Sequence, residues 1–267
     1  MNPATTLRTD ALGARLLSKR RRALLAAASI AGTLLLWGIL SAAGWIDRVL
    51  LPSPLEVLSS LLAALRDGSL LRHVSASLLR VLEGFFLALL TAVPLGIAMG
   101  VSPVVRGTAE PLIELLRPIP PIALIPLAIL WFGIGELSKV LIIAYGAFFP
   151  ILLNTLAGFG EVDRVHVRAA QALGAKRHHI FRDVVLRSAF PFIVVGARVG
   201  MGMAFIVLVA AELIASSAGL GFMITDARYS FRTDQMFLGM AMIGILGLAL
   251  NKALLETERR LLKWKSS

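Results

Sequence analysis

The chain has 267 residues, of which 57% are apolar and only 16% charged, and its formal net charge is +11. Soluble domains contain about 45–50% apolar and about 25% charged residues, so this composition argues against a soluble protein. Cysteine is absent, which excludes disulfide bonds and thiolate metal sites. The basic residues gather at the chain ends and in one loop, which favours a membrane-orientation signal over nucleic-acid binding.

Six apolar runs are each predicted to cross a membrane as a helix, because about 20 helical residues span the hydrocarbon core. The runs cover residues 23–45, 78–101, 118–133, 139–157, 192–215 and 236–255. None of them alternates with the period of two that a barrel strand needs. The prediction is therefore an all-α polytopic membrane protein with six transmembrane helices.

The predicted regions outside the spans follow from composition. Residues 1–22 form a basic tail, and the run 23–45 is too long for a typical cleaved signal peptide, so we interpret it as an uncleaved first span. Residues 46–71 are predicted to be external and to contain an amphipathic helix starting near Pro54, with leucines at 55, 58, 62 and 65. Residues 72–256 form one compact core, and residues 257–267 form a second basic tail.

The third run contains four prolines: Pro118, Pro120, Pro121 and Pro126. Proline removes a backbone donor and kinks a helix, so this run could be a broken span buried in the bundle or lining a cavity. It could equally be a helix whose prolines lie in its first turn, where they are tolerated. The sequence leaves both interpretations open.

The distribution of Lys and Arg predicts the orientation. The two tails and the loop 162–188 are rich in both, whereas the opposite segments 46–77 and 216–235 hold Arg48, Arg66, Arg72, Arg228 and Arg232. The positive-inside rule therefore assigns both termini and the loop 162–188 to the cytoplasm.

The loop 162–188 is predicted to contain two short helices, 165–173 and 176–186. Gly174 would end the first in the left-handed conformation. Alanines at 169, 170, 172 and 175 would leave one side smooth, and the basic residues Arg164, Arg168, Lys176 and Arg177 surround it. The pattern fits a docking surface for another protein, but also an ordinary basic loop.

Some polar residues fall within or near the spans, where an unpaired charge is costly. Arg80 and Glu83 are predicted to pair on one helix face. Arg198 could reach the interface or offer its charge to an anion, and Glu212 suits a gate or a loop anchor. The small residues Gly196, Gly200 and Gly202 make span five a candidate for subunit contact or for the pathway wall.

The candidate residues for a pathway or gate are Pro121, Pro126, Tyr145, Asn154, Met201, Ala204 and Glu212. The sequence contains no phosphate-binding G-x-x-x-x-G-K-[ST], no H-E-x-x-H and no G-x-S-x-G motif. We therefore expect no catalytic residue, no metal site and no bound cofactor in this chain.

The alanine pair Ala169-Ala170 and the later Gly174-Ala175 resemble the coupling loop of bacterial ABC importer permeases, whose pattern is E-A-A-x-x-x-G-A followed by I-x-L-P. Val184-Val185-Leu186 roughly fits the tail of that pattern, whereas Arg168 and Arg187 depart from it. The stretches 117–135, 210–214 and 219–223 are similar to permeases of the nitrate/sulfonate/taurine group, and residues 210–223 resemble taurine and alkanesulfonate permeases most. The resemblance covers roughly residues 50–262.

This resemblance implies a type I ABC importer permease fold in the bacterial inner membrane. It implies a homodimer, a pair of ATPase subunits that bind ATP and Mg, and a periplasmic substrate-binding protein. The ATPases would contact Arg168, Ala169, Ala170, Gly174, Ala175 and Lys176. The implied substrate is taurine or another alkanesulfonate, with nitrate, bicarbonate or another small ligand as alternatives. An ATP-independent secondary transporter or a membrane-embedded enzyme would be a different class of protein.

Overall fold

A computed structural model describes residues 19–47 and 49–262. Residues 1–18, Arg48 and residues 263–267 lie outside the described residues, so the predicted tails 1–22 and 257–267 are covered only in part. Within the described ranges every regular element is helical and no strand occurs, which confirms the all-α prediction.

We number the helices in chain order. They are α1 (Lys19–Ala42), α2 (Pro54–Arg66), α3 (Ser69–Val101), α4 (Pro103–Leu116), α5 (Ile125–Phe132), α6 (Glu136–Gly160), α7 (Arg164–Ala172), α8 (Arg177–Ile214), α9 (Leu220–Tyr229) and α10 (Thr233–Leu261). A 3₁₀ turn, Pro121–Leu124, precedes α5, and a π-helical stretch, Ile180–Val185, lies near the start of α8.

Four described helices are long and apolar enough to cross a membrane: α3, α6, α8 and α10. A fifth span results if α4 and the segment Pro121–Phe132 are counted together, although they bend by 83°. The apolar part of α1, Ala27–Ala42, is shorter than these. The predicted count of six is reached only when both the bent pair and α1 are included.

The predicted third span, residues 118–133, is broken and does not form one continuous helix. The segment Pro121–Phe132 has 12 residues and is about 18 Å long at 1.5 Å per residue, which is too short for about 30 Å of hydrocarbon. Pro121 begins the 3₁₀ turn and Pro126 lies in the first turn of α5. The prolines therefore interrupt the helical structure between α4 and α5. Two of them, Pro121 and Pro126, also lie in the first turn of a helical segment.

The prediction of a separate short helix at 176–186 was wrong. Helix α8 runs without interruption from Arg177 to Ile214, through the π-helical stretch Ile180–Val185. The sequence here has no proline or glycine that would stop a helix between Lys176 and Phe190. The loop and span five are therefore parts of one helix.

The main core is built around α6, which packs between α3 and α8. Glycines allow the close approach on both sides: a Cβ at Gly84 of α3 would lie 2.5 Å from Ile143 Cγ2, and one at Gly200 of α8 would lie 2.6 Å from Ile151 Cγ1. Of the small residues predicted to pack closely in span five, Gly196 and Gly200 do so within one chain, against α6, whereas Gly202 is exposed.

The antiparallel helices give the bundle two ends. We call the end where α3, α6 and α10 begin and α8 finishes the Arg80 end. The opposite end, which carries α7, is the Gly174 end.

A smaller apolar cluster lies at the Arg80 end. It contains Ala64, Leu70, Leu220, Met223 and Leu238, from α2, α3, α9 and α10. The predicted amphipathic helix is confirmed as α2, and the Ser53 side chain and the Glu56 side chain form its capping box. Helix α1 lies outside the main core, with Leu35 and Ile39 exposed.

Candidate functional site

At the Gly174 end, α7 is closed at both of its ends by local hydrogen bonds. The Asp163 side chain accepts a hydrogen bond from the Val165 backbone N–H at 2.7 Å. At the other end, Ala175 N–H donates to the Ala170 carbonyl at 3.0 Å and Gly174 N–H donates to the Gln171 carbonyl at 2.9 Å. These two bonds form a Schellman motif. Gly174 has φ +78°, which confirms its predicted left-handed conformation.

The predicted docking residues form one surface around this cap. Arg168, Ala169, Gly174 and Lys176 are exposed, and Ala170 and Ala175 are half-buried. Leu173, which sequence reasoning did not select, has 87% of its surface exposed at the end of α7. A large apolar side chain inside a ring of small and basic residues is suited to a complementary protein surface.

A cavity of about 450 Å³ separates α7 from the ends of α3 and α6. It is lined by Gly100, Val101, Phe159, Val162, Arg164, Val167, Arg168, Gln171, Phe181 and Val185. Arg168 therefore faces this cavity as well as the exposed surface. The π-helical stretch of α8 supplies Phe181 and Val185 to the same wall.

At the Arg80 end, an ionic cluster joins α3, α6 and α8, in which Arg80, Lys139 and Glu212 are buried and Glu136 is exposed. Arg80 and Glu212 have 4% and 1% of their surface exposed, and Arg80 Nη1 lies 2.6 Å from Glu212 Oε1. The Arg80 guanidinium also donates to both carboxylate oxygens of Glu136, and the Lys139 ammonium donates to Glu136 Oε1 at 2.9 Å. The predicted pairing of Arg80 with Glu83 was wrong, because Arg80 points across the bundle.

The same cluster holds the connection between α8 and α9. Glu212 Oε2 accepts from Gly221 N–H at 2.9 Å, and Ser77 Oγ accepts from Leu220 N–H at 2.8 Å. Arg80 Nη1 donates to the Ala218 carbonyl. Glu212 thus ties the segment 218–221 to the bundle. This anchoring contact lies at the Arg80 end, opposite the end that carries α7.

Sequence reasoning missed Ser77, Glu136 and Lys139 as partners in this cluster. The available signal was the charged pair Glu136 and Lys139, at spacing i, i+3 where an apolar run begins. Charged residues this close to a span are usually paired within the bundle, so a further charge from another helix is to be expected beside them.

Tyr145 lies beside the break between α4 and α5. Its hydroxyl donates to the Leu116 carbonyl at 2.7 Å. In a continuous helix that carbonyl would accept from residue 120, but Pro120 has no N–H. The Leu116 carbonyl accepts from Ile119 N–H at 3.0 Å instead, and the Tyr145 hydroxyl adds a second hydrogen bond to it at the break.

Tyr145 also lines two apolar cavities, of about 520 Å³ and about 400 Å³, on either side of the break. The first is lined mainly by α3, α4 and α6, and the second by α4, α5 and α6. Pro126 is exposed and Pro121 is half-buried against Gly146. The bent pair and α6 thus border two apolar hollows beside a predicted pathway residue.

The other pathway candidates lie inside the chain. Met201 and Ala204 belong to the main core and are buried against neighbouring helices. The Asn154 amide donates to the Pro150 carbonyl of its own helix at 2.8 Å. The exposed face of α8 instead presents Val199, Gly202 and Ile206, so a pathway role of Met201 and Ala204 stays a prediction.

Arg198 forms an ion pair with Glu258 of α10, with Nη1 and Oε2 3.0 Å apart. Both side chains are partly buried. The sequence offered two roles for Arg198, interface anchoring and anion binding. The ion pair gives its charge a partner within the chain.

Residues 92–255 match the family described as binding-protein-dependent transport system inner membrane component. The taurine transport system permease protein TauC of Escherichia coli is 42% identical over 249 residues, which cover 91% of this chain and 90% of that protein. The nitrate import permease protein NrtB of Synechocystis sp. is 31% identical over 235 residues, covering 85% of this chain and 84% of that protein.

Solved structures share the arrangement of helices at lower identity. A chain of the inward-facing MetNI methionine ABC transporter aligns with a TM-score of 0.62 and 21% identity, covering 72% of this chain and 95% of that chain. A chain of an amino acid ABC transporter aligns with a TM-score of 0.60 and 19% identity, covering 70% and 92%. At these identities the likeness concerns the fold alone.

Proposed function

Since the chain belongs to the family of binding-protein-dependent transport system inner membrane components, we propose that it imports a small organic anion with energy from a separate ATPase. Its fold is that of a type I ABC importer permease. It is a multi-pass permease subunit of the inner membrane, and both termini face the cytoplasm in this proposal. The chain itself holds no cofactor, and ATP and Mg bind to the partner.

The ATPase pair contacts the Gly174 end. The observation that carries this assignment is the capped helix α7, which presents the exposed Leu173 beside Gly174 and within a basic rim. An apolar side chain on such a surface can enter a pocket of the partner, and the small residues Ala169 and Gly174 let the partner backbone approach closely. The contact residues are Arg168, Ala169, Ala170, Gly174, Ala175 and Lys176, together with Leu173.

A periplasmic binding protein delivers the substrate to the Arg80 end of a permease homodimer. The buried cluster of Arg80 and Glu212 anchors the segment 218–221 there, which supports a gate or anchor role for Glu212. The pathway runs along the bent pair with Pro121 and Pro126, beside Tyr145, and along the exposed face of α8. The inner helices α6 and α8 pack behind this pathway and contribute Asn154, Met201 and Ala204 to its support.

The substrate is taurine or another alkanesulfonate, supported by the 42% identity with a taurine permease. Nitrate is the second candidate, supported by the 31% identity with a nitrate import permease. Both substrates carry a small oxyanion group, a sulfonate in taurine beside its ammonium group and the nitrate ion itself. The higher identity over a larger share of the chain favours the sulfonate.

The experiment uses the permease reconstituted in proteoliposomes with its ATPase and its binding protein. We expect ATP-dependent uptake of radiolabelled taurine, and no uptake when ATP is replaced by a non-hydrolysable analogue. Uptake of nitrate without taurine would transfer the substrate assignment to nitrate. Taurine uptake without any ATPase subunit would contradict the proposed mechanism.

Two substitutions at one position test the docking surface. Leu173→Asp should abolish ATPase co-purification and uptake, because a charge would replace the apolar contact. Leu173→Met keeps an apolar side chain of similar volume and should preserve both. Equal ATPase binding by the two variants would show that Leu173 is not at the interface.

A further inference from the structure

Helix α2 presents three different faces. Successive helical residues are about 100° apart, so Leu55, Leu58, Leu62 and Leu65 fall within about 80° of one another. These four leucines have between 46% and 76% of their surface exposed. We call them the leucine face.

The opposite side of α2 is packed. Val57, Leu61 and Ala64 contact the apolar cluster of Leu70 and Leu220. A third, polar face carries Glu56, Ser59 and Arg66. The leucine face is therefore not the side that joins α2 to the bundle, and it lies next to a polar face.

Helix α2 also runs across the ends of three membrane-crossing elements. At its start, the Trp37 indole N–H donates to the Pro52 carbonyl at 3.0 Å, and Ser41 Oγ donates to the Leu51 carbonyl at 3.1 Å. Both donors lie in the last turns of α1. In its middle, Ser60 donates to Asp234 in the first turn of α10. Its end connects directly to the start of α3 through Asp67 and Gly68.

A helix attached at these three points follows the plane in which the spans end, rather than the direction of the spans. We propose that α2 is an interfacial helix whose leucine face is inserted among the lipid acyl chains of the leaflet at the Arg80 end. Its polar face then contacts headgroups and water. This is the arrangement that an amphipathic helix adopts at a bilayer surface.

The composition of the face favours lipid over a protein partner. It contains four leucines and no Trp, Tyr or Arg, whereas the energetically dominant residues of protein interfaces are mainly Trp, Tyr and Arg. Exposed apolar side chains also occur on the neighbouring helices, with Leu35 and Ile39 on α1 and Met240 on α10. Lipid covers these side chains together with the leucine face, whereas a protein docked on α2 covers only the leucine face.

The test uses the absence of cysteine, so that single cysteines can carry an environment-sensitive fluorophore. Leu58→Cys and Leu62→Cys report on the leucine face, and Ser59→Cys and Ala63→Cys are matched controls on the polar side of the same turns. Each labelled full-length chain is placed in nanodiscs. Quenching is measured with phosphatidylcholine brominated on its acyl chains and, separately, with aqueous iodide.

We expect brominated lipid to quench the probes at 58 and 62 several-fold more strongly than those at 59 and 63, and iodide to show the reverse order. Equal quenching at all four positions would overturn the proposal. Protection of 58 and 62 from both quenchers would also overturn it, because a second copy or another protein would then cover the face. The measurement requires no substrate, ATPase or transport, so its outcome is separate from that of the proposed function.

Discussion

Glu212→Gln removes one negative charge from the centre of the buried cluster while nearly preserving the side-chain volume. In the folded protein, Glu212 accepts from Arg80 at 2.6 Å, from Ser77 at 2.8 Å and from Gly221 N–H at 2.9 Å. A glutamine has one acceptor oxygen and one NH₂ group. Arg80 and the Gly221 N–H can only donate, and they bind different oxygens of Glu212, so one of them loses its acceptor when NH₂ replaces an oxygen.

The expected loss of stability follows from the burial of the pair. Arg80 and Glu212 are 4% and 1% exposed, and removing one partner of a buried ion pair costs about 3–5 kcal/mol. Arg80 retains Glu136, which compensates part of its charge, so we expect a loss near 3 kcal/mol, the lower limit of that range. The segment 218–221 should loosen first, because Glu212 holds Gly221 directly.

The assay is thermal unfolding of the purified permease, with Glu256→Gln as the control. Glu256 pairs with Arg260 at 2.9 Å, but both side chains are largely exposed, and such pairs contribute about 0–1 kcal/mol. Glu212→Gln should therefore lower the unfolding midpoint clearly more than Glu256→Gln, and should speed amide exchange at 218–221. Equal midpoints for the two variants would refute the reasoning.

A double-mutant cycle separates the ion pair from the other bonds. If Arg80 and Glu212 interact directly, the effects of Arg80→Gln and Glu212→Gln should not add, because neighbouring charges couple. Additive effects would indicate that each residue stabilises the cluster independently.

Three further predictions concern the two ends and the pathway. The Gly174→Leu variant should insert normally but lose ATPase co-purification, because a left-handed conformation costs a non-glycine residue about 1–2 kcal/mol. The Gly174→Asn variant should still co-purify with the ATPase, because asparagine tolerates that conformation. Co-purification of the ATPase with both variants would contradict the prediction. A cysteine at Ser59 should react with an impermeant thiol reagent on intact cells and a cysteine at Ser188 should not; the opposite result would reverse the orientation. Gly202→Trp, on the exposed face of α8, should reduce uptake by reconstituted complexes, whereas Leu35→Trp on α1 should not, and the opposite pattern would remove α8 from the pathway.

Apolar periodicity and local capping signals allowed most of the fold to be predicted. The runs that became α3, α6, α8 and α10 were recognised because a span needs length and apolar composition, which are local properties. Gly174 was recognised as a cap because only glycine adopts φ near +78° without strain. The end predicted at 186 was misplaced, because composition cannot show whether a basic loop continues a span as one helix.

The partners of charged residues could not be predicted in the same way. Arg80 and Glu83 are adjacent on one helix, so the sequence favours their pairing, yet Arg80 binds Glu136 and Glu212, which are 56 and 132 residues away. Which helices become neighbours depends on the close contacts of glycines such as Gly84 and Gly200 with α6. A single sequence shows that these glycines are present but not which helix they face.

Helix α8 gives the molecule a direct mechanical connection between its two ends. It begins at Arg177, three residues after Gly174, and carries Glu212 near its other end, so one continuous helix extends over about 50 Å. A displacement that tilts or rotates the first turns of α8 is transmitted along the helix itself to the Arg80 end, without a series of side-chain contacts. The hydrogen-bond register of α8 changes in the π-helical stretch Ile180–Val185. The stiffness of this stretch determines how much of a displacement at the start of α8 reaches Glu212.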